Sequence, residues 1–284
     1  MGDFIIGEKL KAYGFEIVRS EEVKQYINTR QEKEYIIIDV RQPFEYETNH
    51  IPGALLNPLN HLIQSFSDLP VDKDLIFYCH AGSRSQMAAM MAAEEEIFEK
   101  NIYSLDGGIT SWTGKSIENF PRVGVFSKSK TLTQFLYTAM DMEKGAERFY
   151  LLVQEKFESE AFSSVFDQLA VVEAAHAKLI YKIYAKIAAQ IPAPFEEFYQ
   201  GLPGDIVEGG EQLEQYVDQL ENMSENLCIA LMEFALDIEF SAYDLYRTLA
   251  NQKTDDSQMA GVFLDIAQNE KSHMRMISAS LAKC

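Results

Sequence analysis

The stretch DLIFYCHAGSRSQMAAMMAAEEEIF (residues 74–98) decides the fold of the first half of the chain. Its apolar run DLIFYC (74–79) predicts a buried parallel strand, and SRSQMAAMMAAEEEIF (83–98) predicts the helix that follows. The earlier segments SEEVKQYI (20–27) and EYIIIDV (34–40) repeat this pairing of a helical pattern with a short apolar run. Because strands and helices alternate, we expect an α/β domain with a parallel sheet and flanking helices.

The loop CHAGSRS (79–85) places a cysteine between the end of a strand and the start of a helix. Backbone N–H groups converge there and the helix dipole is positive, which favours the reactive thiolate form. We therefore predict Cys79 as a nucleophile and Arg84 as a holder of anionic substrate. The rest of the loop is predicted to surround the reacting sulfur: His80, Ala81, Gly82, Ser83 and Ser85.

The second half of the chain has a helical period. After FPRVGVFSKSK (120–130), apolar residues recur at 3.6-residue spacing, and TLTQ (131–134) has the form of a capping box. The predicted helices span 131–158, 160–190, 211–251 (with a break expected) and 255–282. The Pro- and Gly-rich segment 191–210 separates two helix hairpins, as in a four-helix bundle with a long crossover. These patterns divide the chain into an α/β domain at 1–122, a linker at 123–130 and the bundle at 131–284.

Polar side chains interrupt the apolar stripe of every predicted long helix. They fall on the inward faces, at i, i+3, i+4 spacing, and are Glu143, Glu173, His176, Glu239, Glu270 and His273. Four ionised glutamates in one core would repel each other and suffer heavy desolvation, and a pair of metal ions removes that difficulty. The Glu-x-x-His pattern occurs twice, each time about thirty residues after a lone glutamate. Mixed nitrogen and oxygen ligands suit two iron ions, although manganese or zinc would also fit.

Each lone glutamate is followed seven residues later by a tyrosine, Tyr150 or Tyr246. We expect these phenols to reach back and donate hydrogen bonds to the metal ligands.

Charge and cysteine content exclude several classes of protein. A net charge of −19 leaves no basic surface to neutralise the phosphates of nucleic acid. No apolar run approaches the roughly 20 residues of a membrane span. The three cysteines are widely spaced, so we expect no disulfide framework and a cytoplasmic protein. Cys228 is predicted to be core and Cys284 a free surface thiol.

The first half resembles the rhodanese family over about residues 15–122. IIIDVRQPFEYETNHIPGALLNP (36–58) and LDGGITSW (105–112) are similar to its two signatures, and CHAGSRS is similar to its active loop. Asn49 stands where the family usually has glycine, at little expected cost. The resemblance implies a cysteine that accepts sulfane sulfur as a persulfide, with Asp39 and Arg41 in structural roles.

The active loop also resembles those of cysteine phosphatases and arsenate reductases. Four residues separate Cys79 from Arg84, whereas those enzymes use a loop one residue longer to hold a tetrahedral oxyanion. The shorter loop favours a single sulfur atom, and an oxyanion enzyme stays as the alternative for this domain.

The second half, about 131–282, resembles the rubrerythrin branch of the ferritin-like family. The resemblance maps a di-iron ligand set onto the same six residues and implies a homodimer. Two departures stand out: Ala242 occupies the position of a further glutamate found in peroxide-reducing rubrerythrins, and the chain has no CxxC motif. Electrons would therefore come from an external donor.

The leading hypothesis is a two-domain sulfur and redox enzyme, with a persulfide sulfurtransferase fused to a di-iron oxidase-like or peroxidase-like centre. Such a protein would serve peroxide or sulfur detoxification, with small sulfur donors and thiol acceptors as partners. The alternative is an iron-binding or sensing bundle with a rhodanese domain that docks a partner. Fusion keeps both sites at high effective concentration, so their chemistry is expected to be coupled.

Overall fold

A computed structural model describes residues 14–190, 192–223, 226–252, 257–281 and 284 of the chain. The chain divides into two compact units. One comprises the residues up to Phe120 with the short segment 250–255, and the other comprises Pro121–Leu249 with 256–284.

A parallel five-stranded sheet organises the first unit. Its spatial order is β1-β5-β4-β2-β3. The strands are β1 (Glu16–Val18), β2 (Tyr35–Asp39), β3 (Leu55–Leu56), β4 (Asp74–Tyr78) and β5 (Ile102–Leu105). Every residue of β2 and β4 is buried, which explains why both segments are continuously apolar rather than alternating.

Side chains of the central strands alternate between two cores, one on each face of the sheet. In β2, Ile36 and Ile38 enter one core, whereas Tyr35 and Ile37 enter the other. The helices of this unit are α1 (Ser20–Thr29), α2 (Pro43–Thr48), α3 (Leu59–Leu62) and α4 (Ser83–Glu94). Helix α4 ends earlier than predicted, within the run of three glutamates, which are exposed.

Four long helices form the body of the second unit. They are α5 (Leu132–Lys156), α6 (Ser163–Ile187), α9 (Leu227–Asn251) and α10 (Ser257–Ser280). The predicted capping box is confirmed, since Thr131 Oγ1 accepts from Gln134 N and Thr131 N donates to Gln134 Oε1. A helical unit after an α/β unit confirms the predicted fold class.

The crossover between α6 and α9 carries its own short elements. They are α7 (Phe195–Gln200), the antiparallel strands β6 (Ile206–Val207) and β7 (Glu211–Gln212), and α8 (Leu213–Glu221). The predicted third helix therefore breaks between α8 and α9. Among the described residues, no helix has the length and apolar character needed to cross a bilayer.

The expectations that the cysteines form no disulfide and that Cys284 is a free thiol are wrong. Cys228 and Cys284 form a disulfide with a Cα–Cα distance of 5.5 Å, so Cys284 is not a free thiol. Cys228 does pack against the bundle core. It lies in the first turn of α9, where it also contacts Cys284. Since 56 residues separate the pair, sequence spacing gives no hint of it, and the cysteines no longer support the expectation of a cytoplasmic protein.

Candidate active cysteine and candidate metal centre

Cys79 lies directly after β4 and before α4, and its side chain is buried. It is the free cysteine of the chain. The N–H of Gly82 donates to Cys79 Sγ at 3.1 Å, and Gly82 has a φ of +102° that side-chain-bearing residues rarely adopt. The loop thus turns tightly enough to aim backbone N–H groups at the sulfur.

These contacts change the acidity of the thiol. Burial raises the pKa of Cys79, but hydrogen bonds from Ser85 and from the N–H groups of Gly82 and Ala81 outweigh it and hold the pKa below its ordinary value. A larger share of the thiol is therefore thiolate near neutral pH, which is the nucleophilic form.

The second signature, LDGGITSW, packs against the cysteine loop and forms backbone hydrogen bonds with it. The N–H of Ile109 donates to Cys79 O at 2.7 Å, and that of Thr110 donates to His80 O at 3.2 Å. A Cβ on Gly108 would lie only 2.4 Å from Cys79 O, so this approach requires glycine. The two motifs form one site although they are separated in sequence.

The other predicted loop residues differ in exposure. His80, Ala81 and Ser83 are exposed at the rim of the loop. Ser85 is buried, and its hydroxyl lies 2.9 Å from Gly82 O and accepts from Ser104 Oγ at 3.0 Å. Ser85 therefore supports the loop from beneath, whereas the rim residues face solvent.

Arg84 forms a two-pronged ion pair with Glu45. The two hydrogen bonds measure 2.8 and 2.7 Å, and the guanidinium lowers the pKa of Glu45 to about 2. The Arg84 side chain is 36% exposed to solvent. Glu45 lies within the first signature, and its charge, opposite to that of Arg84, is the only feature of the sequence that points to this pair.

Asp39 and Arg41 are buried together beside the sheet. Arg41 donates to both oxygens of Asp39, at 3.0 and 2.7 Å, and to the carbonyl oxygen of Asn49 at 2.6 Å. Asn49 has an extended backbone with φ of −167°, which places no demand for glycine. These contacts tie the first signature to the sheet.

In the second unit, the four long helices bring the six predicted ligands into one buried cluster. Each offers a nitrogen or oxygen to a group of three whose atoms lie within 4.8 Å of one another. The groups are Glu173–His176–His273, Glu143–His176–Glu270 and Glu239–Glu270–His273. Because the groups share members, the six side chains form a continuous site.

The two histidines lie at the centre of this cluster. Their rings stack with centroids 4.5 Å apart. His273 Nδ1 lies 2.9 Å from Glu239 Oε2, and 3.3 Å from Glu173 Oε1 and from Glu270 Oε2. Burial lowers the pKa of His176 to about 3, so this imidazole stays neutral and able to ligate a metal.

The carboxylates fit a cation better than they fit the protein alone. Both oxygens of Glu143, Glu173 and Glu270 are buried without a hydrogen-bond partner among the described residues, as are His176 Nδ1 and His273 Nε2. Burial raises the pKa of Glu143 to about 7 and the pKa values of Glu173 and Glu270 well above the usual range. Unpartnered carboxylates and imidazoles are the ligands that iron, manganese or zinc bind.

A fifth glutamate, which no sequence pattern indicated, is buried beside this cluster. Oxygens of Glu208, Glu143 and Glu173 lie within 4.8 Å of one another. Glu208 lies in the crossover between β6 and β7, where no helical period marks an inward face. The pair Gly209–Gly210 behind it was the only sequence signal of a tight turn there.

The two tyrosines have different environments. Tyr150 donates a 2.5 Å hydrogen bond to Glu239, on the opposite helix, rather than to Glu143 on its own. The hydroxyl of Tyr246 is buried and has no hydrogen-bond partner in the described part of the chain. Tyr150 therefore makes a hydrogen bond across the bundle instead of the expected hydrogen bond along its own helix.

Two family models match the chain, one for each unit. The rhodanese-like domain model matches residues 20–115, and the rubrerythrin model matches residues 134–223.

Curated relatives match the first unit. The thiosulfate sulfurtransferase GlpE of Pseudomonas syringae is 35% identical over 83 residues, which cover 29% of this chain and 76% of that protein. A sulfurtransferase of Allochromatium vinosum is 30% identical, and the match covers 73% of that protein. The Bacillus subtilis protein YqhL is 40% identical, and the chain spans 61% of its length.

Among solved structures, a rhodanese-related protein of Thermoplasma volcanium is 25% identical, with a TM-score of 0.32; the match covers 36% of this chain and 98% of that one. The sequence matches carry the assignment. The chain belongs to the rhodanese-like sulfurtransferase family through its first unit, and it carries a rubrerythrin domain in its second.

Proposed function

We propose that the chain is a sulfurtransferase that forms a persulfide on Cys79, fused to a di-metal carboxylate centre that carries out redox chemistry. The observation that carries the first half is the buried Cys79 thiol with lowered pKa, surrounded by N–H donors. The observation that carries the second is the buried cluster of carboxylates and imidazoles on four helices, many of whose oxygen and nitrogen atoms have no hydrogen-bond partner among the described residues.

The geometry of the Cys79 loop supports sulfur transfer in two steps. The Cys79 thiolate attacks the outer sulfur of a donor such as thiosulfate; the new S–S bond forms while the donor S–S bond breaks, and sulfite leaves with the electron pair. The N–H of Gly82 stabilises negative charge near Sγ. An acceptor thiolate then attacks the outer sulfur, and Cys79 returns to the thiolate.

Glu45 and Arg84 set the charge preference of this site. The guanidinium is already paired with Glu45, so a dianionic donor gains less from Arg84 than it would from an unpaired arginine. This arrangement favours donors of low charge, such as organic persulfides, over thiosulfate.

The metal centre would be held by Glu143, Glu173, His176, Glu239, Glu270 and His273. Two iron ions bound there would supply one-electron chemistry toward oxygen or peroxide. The protein contributes a buried cluster of fixed ligands, the neutral imidazole of His176 and the phenol of Tyr150, which orients Glu239. A homodimer, an external electron donor and coupling between the sulfur and metal sites are further parts of this proposal.

The sulfur half is tested by incubating the full-length chain, with its Cys228–Cys284 disulfide intact, with thiosulfate and, separately, with glutathione persulfide. Wild type is expected to gain the mass of one sulfur atom, which cyanide removes, and Cys79→Ser is expected to gain nothing. The double variant Cys228→Ser/Cys284→Ser serves as the matched control, because it removes the two cysteines outside the loop. Wild type that gains no sulfur from either donor would contradict the proposal.

A second candidate is a bundle that binds metal without turnover. Ala242 on α9 occupies the position of a further glutamate found in peroxide-reducing rubrerythrins, and this difference favours metal binding without turnover. Stopped-flow spectra of the ferrous chain mixed with peroxide distinguish the two functions: repeated oxidation with added reductant indicates an enzyme, and one slow oxidation indicates binding.

A further inference from the structure

The crossover segment forms a hairpin whose tip is buried in the helical unit. Strands β6 and β7 flank the turn Glu208–Gly209–Gly210, which is closed by the N–H of Gly210 donating to Val207 O at 3.0 Å. Gly209 and Gly210 have φ values of +80° and +86°, which favour glycine. The turn therefore has a defined geometry and is set by its sequence.

Two glycine contacts place the hairpin against α5 and α9. A Cβ on Gly145 of α5 would lie 2.0 Å from Ile206 O, and a Cβ on Gly209 would lie 2.7 Å from the Cβ of Ser241 on α9. The same Cβ on Gly209 would lie 3.5 Å from the backbone nitrogen of Ala242. The hairpin thus contacts both helices that carry a lone glutamate.

Polar contacts fix the hairpin in this position. Arg148 of α5 donates to the carbonyl oxygens of Pro203 and Gly204, at 2.5 and 2.8 Å, and to Asp205 Oδ1 at 2.9 Å. The N–H of Gly204 donates to Asp141 Oδ1 at 2.8 Å. A segment held by so many direct bonds is a rigid support for the side chain at its tip.

The side chain at that tip is Glu208. It is 0% exposed, and neither of its oxygens has a hydrogen-bond partner among the described residues. One of them lies within 4.8 Å of oxygens from Glu143 and Glu173. A carboxylate that is buried without a donor and faces two others is strongly unfavourable unless it is protonated or a cation binds between them.

We propose that Glu208 is a ligand of the metal centre, supplied by the crossover hairpin in addition to the six helical ligands. It binds the ion that Glu143 and Glu173 also hold. The hairpin lies beside the backbone of Ser241 and Ala242 on α9, so a loop adds a carboxylate to a site that is otherwise built from helices. This inference rests on the proposed di-metal centre.

The test uses Co²⁺ as the probe, titrated anaerobically into chelator-treated full-length chain and followed by calorimetry and visible absorption. Wild type is expected to bind two ions. Glu208→Gln is expected to weaken one of the two binding steps at least tenfold and to alter the cobalt spectrum of that step. Glu214→Gln is the matched control: the same charge is removed six residues away, at an exposed position, and wild-type binding is expected.

Thermal unfolding with and without Co²⁺ provides a second readout. If Glu208 is a ligand, the increase in melting temperature caused by Co²⁺ is smaller in Glu208→Gln than in wild type. A purely structural glutamate predicts a lower melting temperature in both conditions and an unchanged increase.

If Glu208→Gln fails to fold, Glu208→Asp is used instead, because it keeps the charge but moves the carboxylate oxygens away from Glu143 and Glu173. Weaker Co²⁺ binding in that variant supports the assignment, and wild-type binding overturns it. Wild-type chain that binds fewer than two ions contradicts the metal centre itself. Wild-type chain that binds two, with Glu208→Gln identical to it, contradicts only the role of Glu208.

Discussion

Tyr150 and Tyr246 provide a matched pair of buried phenols in the bundle. Both side chains are 0% exposed. Tyr150 donates a 2.5 Å hydrogen bond to Glu239 Oε1, whereas the Tyr246 hydroxyl has no hydrogen-bond partner among the described residues. Replacing each by phenylalanine removes one oxygen and leaves the ring packing in place, so the pair isolates the hydrogen bond.

The two substitutions should differ in their effect on the free energy of unfolding. A hydrogen bond to a charged group contributes about 1.5–3 kcal/mol, so Tyr150→Phe should lower the free energy of unfolding by that amount. Tyr246→Phe removes a buried hydroxyl without a partner, whose burial costs roughly 1–3 kcal/mol, and should be neutral or stabilising. For a unit of this size, each kcal/mol shifts the melting temperature by about 2–4 °C, so Tyr150→Phe should lower it by about 3–12 °C.

The measurement is differential scanning calorimetry of chelator-treated full-length chain, with helix content followed by circular dichroism to identify the transition of the helical unit. Metal-free protein is used so that changes in metal affinity do not enter the comparison. Equal losses in both variants, or a larger loss in Tyr246→Phe, would show that the phenols act through packing and not through the bond to Glu239.

Three further predictions concern the thiol groups and the ion pair. Ser85→Ala removes a hydrogen bond that lowers the pKa of Cys79; the thiolate is present above that pKa and lost below it, so the midpoint of iodoacetamide alkylation against pH should move upward, and an unmoved midpoint counts against this role. Glu45→Gln frees Arg84 and should lower the KM for thiosulfate more than it changes kcat, measured by sulfite release; an unchanged KM would mean that the ion pair does not limit anion binding. Cys284→Ser opens a disulfide that spans 56 residues and should destabilise the helical unit by up to about 4 kcal/mol, measured by urea unfolding; the reduced wild type should match the variant.

Periodicity explains which metal ligands could be predicted from sequence. An α-helix repeats every 3.6 residues, so Glu173 and His176 had to share a face, and a polar break in an apolar stripe marks the core side. Loops have no such period, so the sequence does not distinguish Glu208 from the exposed glutamates. Its burial depends on the contacts of the hairpin with the helices. The cross-bundle bond from Tyr150 to Glu239 joins residues 89 apart and depends on helix packing, which spacing along one helix does not determine.

The α/β unit was predictable for a related reason. Two fully buried strands are continuously apolar, and the loop after the second is rich in turn residues around Cys79. The pairing of Arg84 with Glu45 was not predictable, because it depends on how α2 and α4 meet above the sheet. The disulfide of Cys284 likewise depends on two chain segments that only the folded bundle brings together.

The most direct test of the central claim is metal analysis of the full-length chain, purified without added metal or chelator and measured alongside amino-acid analysis for accurate protein concentration. The buried ligand cluster predicts two transition-metal ions per chain, with iron as the expected ion. It also predicts that Glu173→Gln, which removes a carboxylate shared by two of the ligand groups, lowers this content. A wild-type chain with no bound transition metal, which also fails to take up Fe²⁺ or Co²⁺ under anaerobic conditions, would contradict the account.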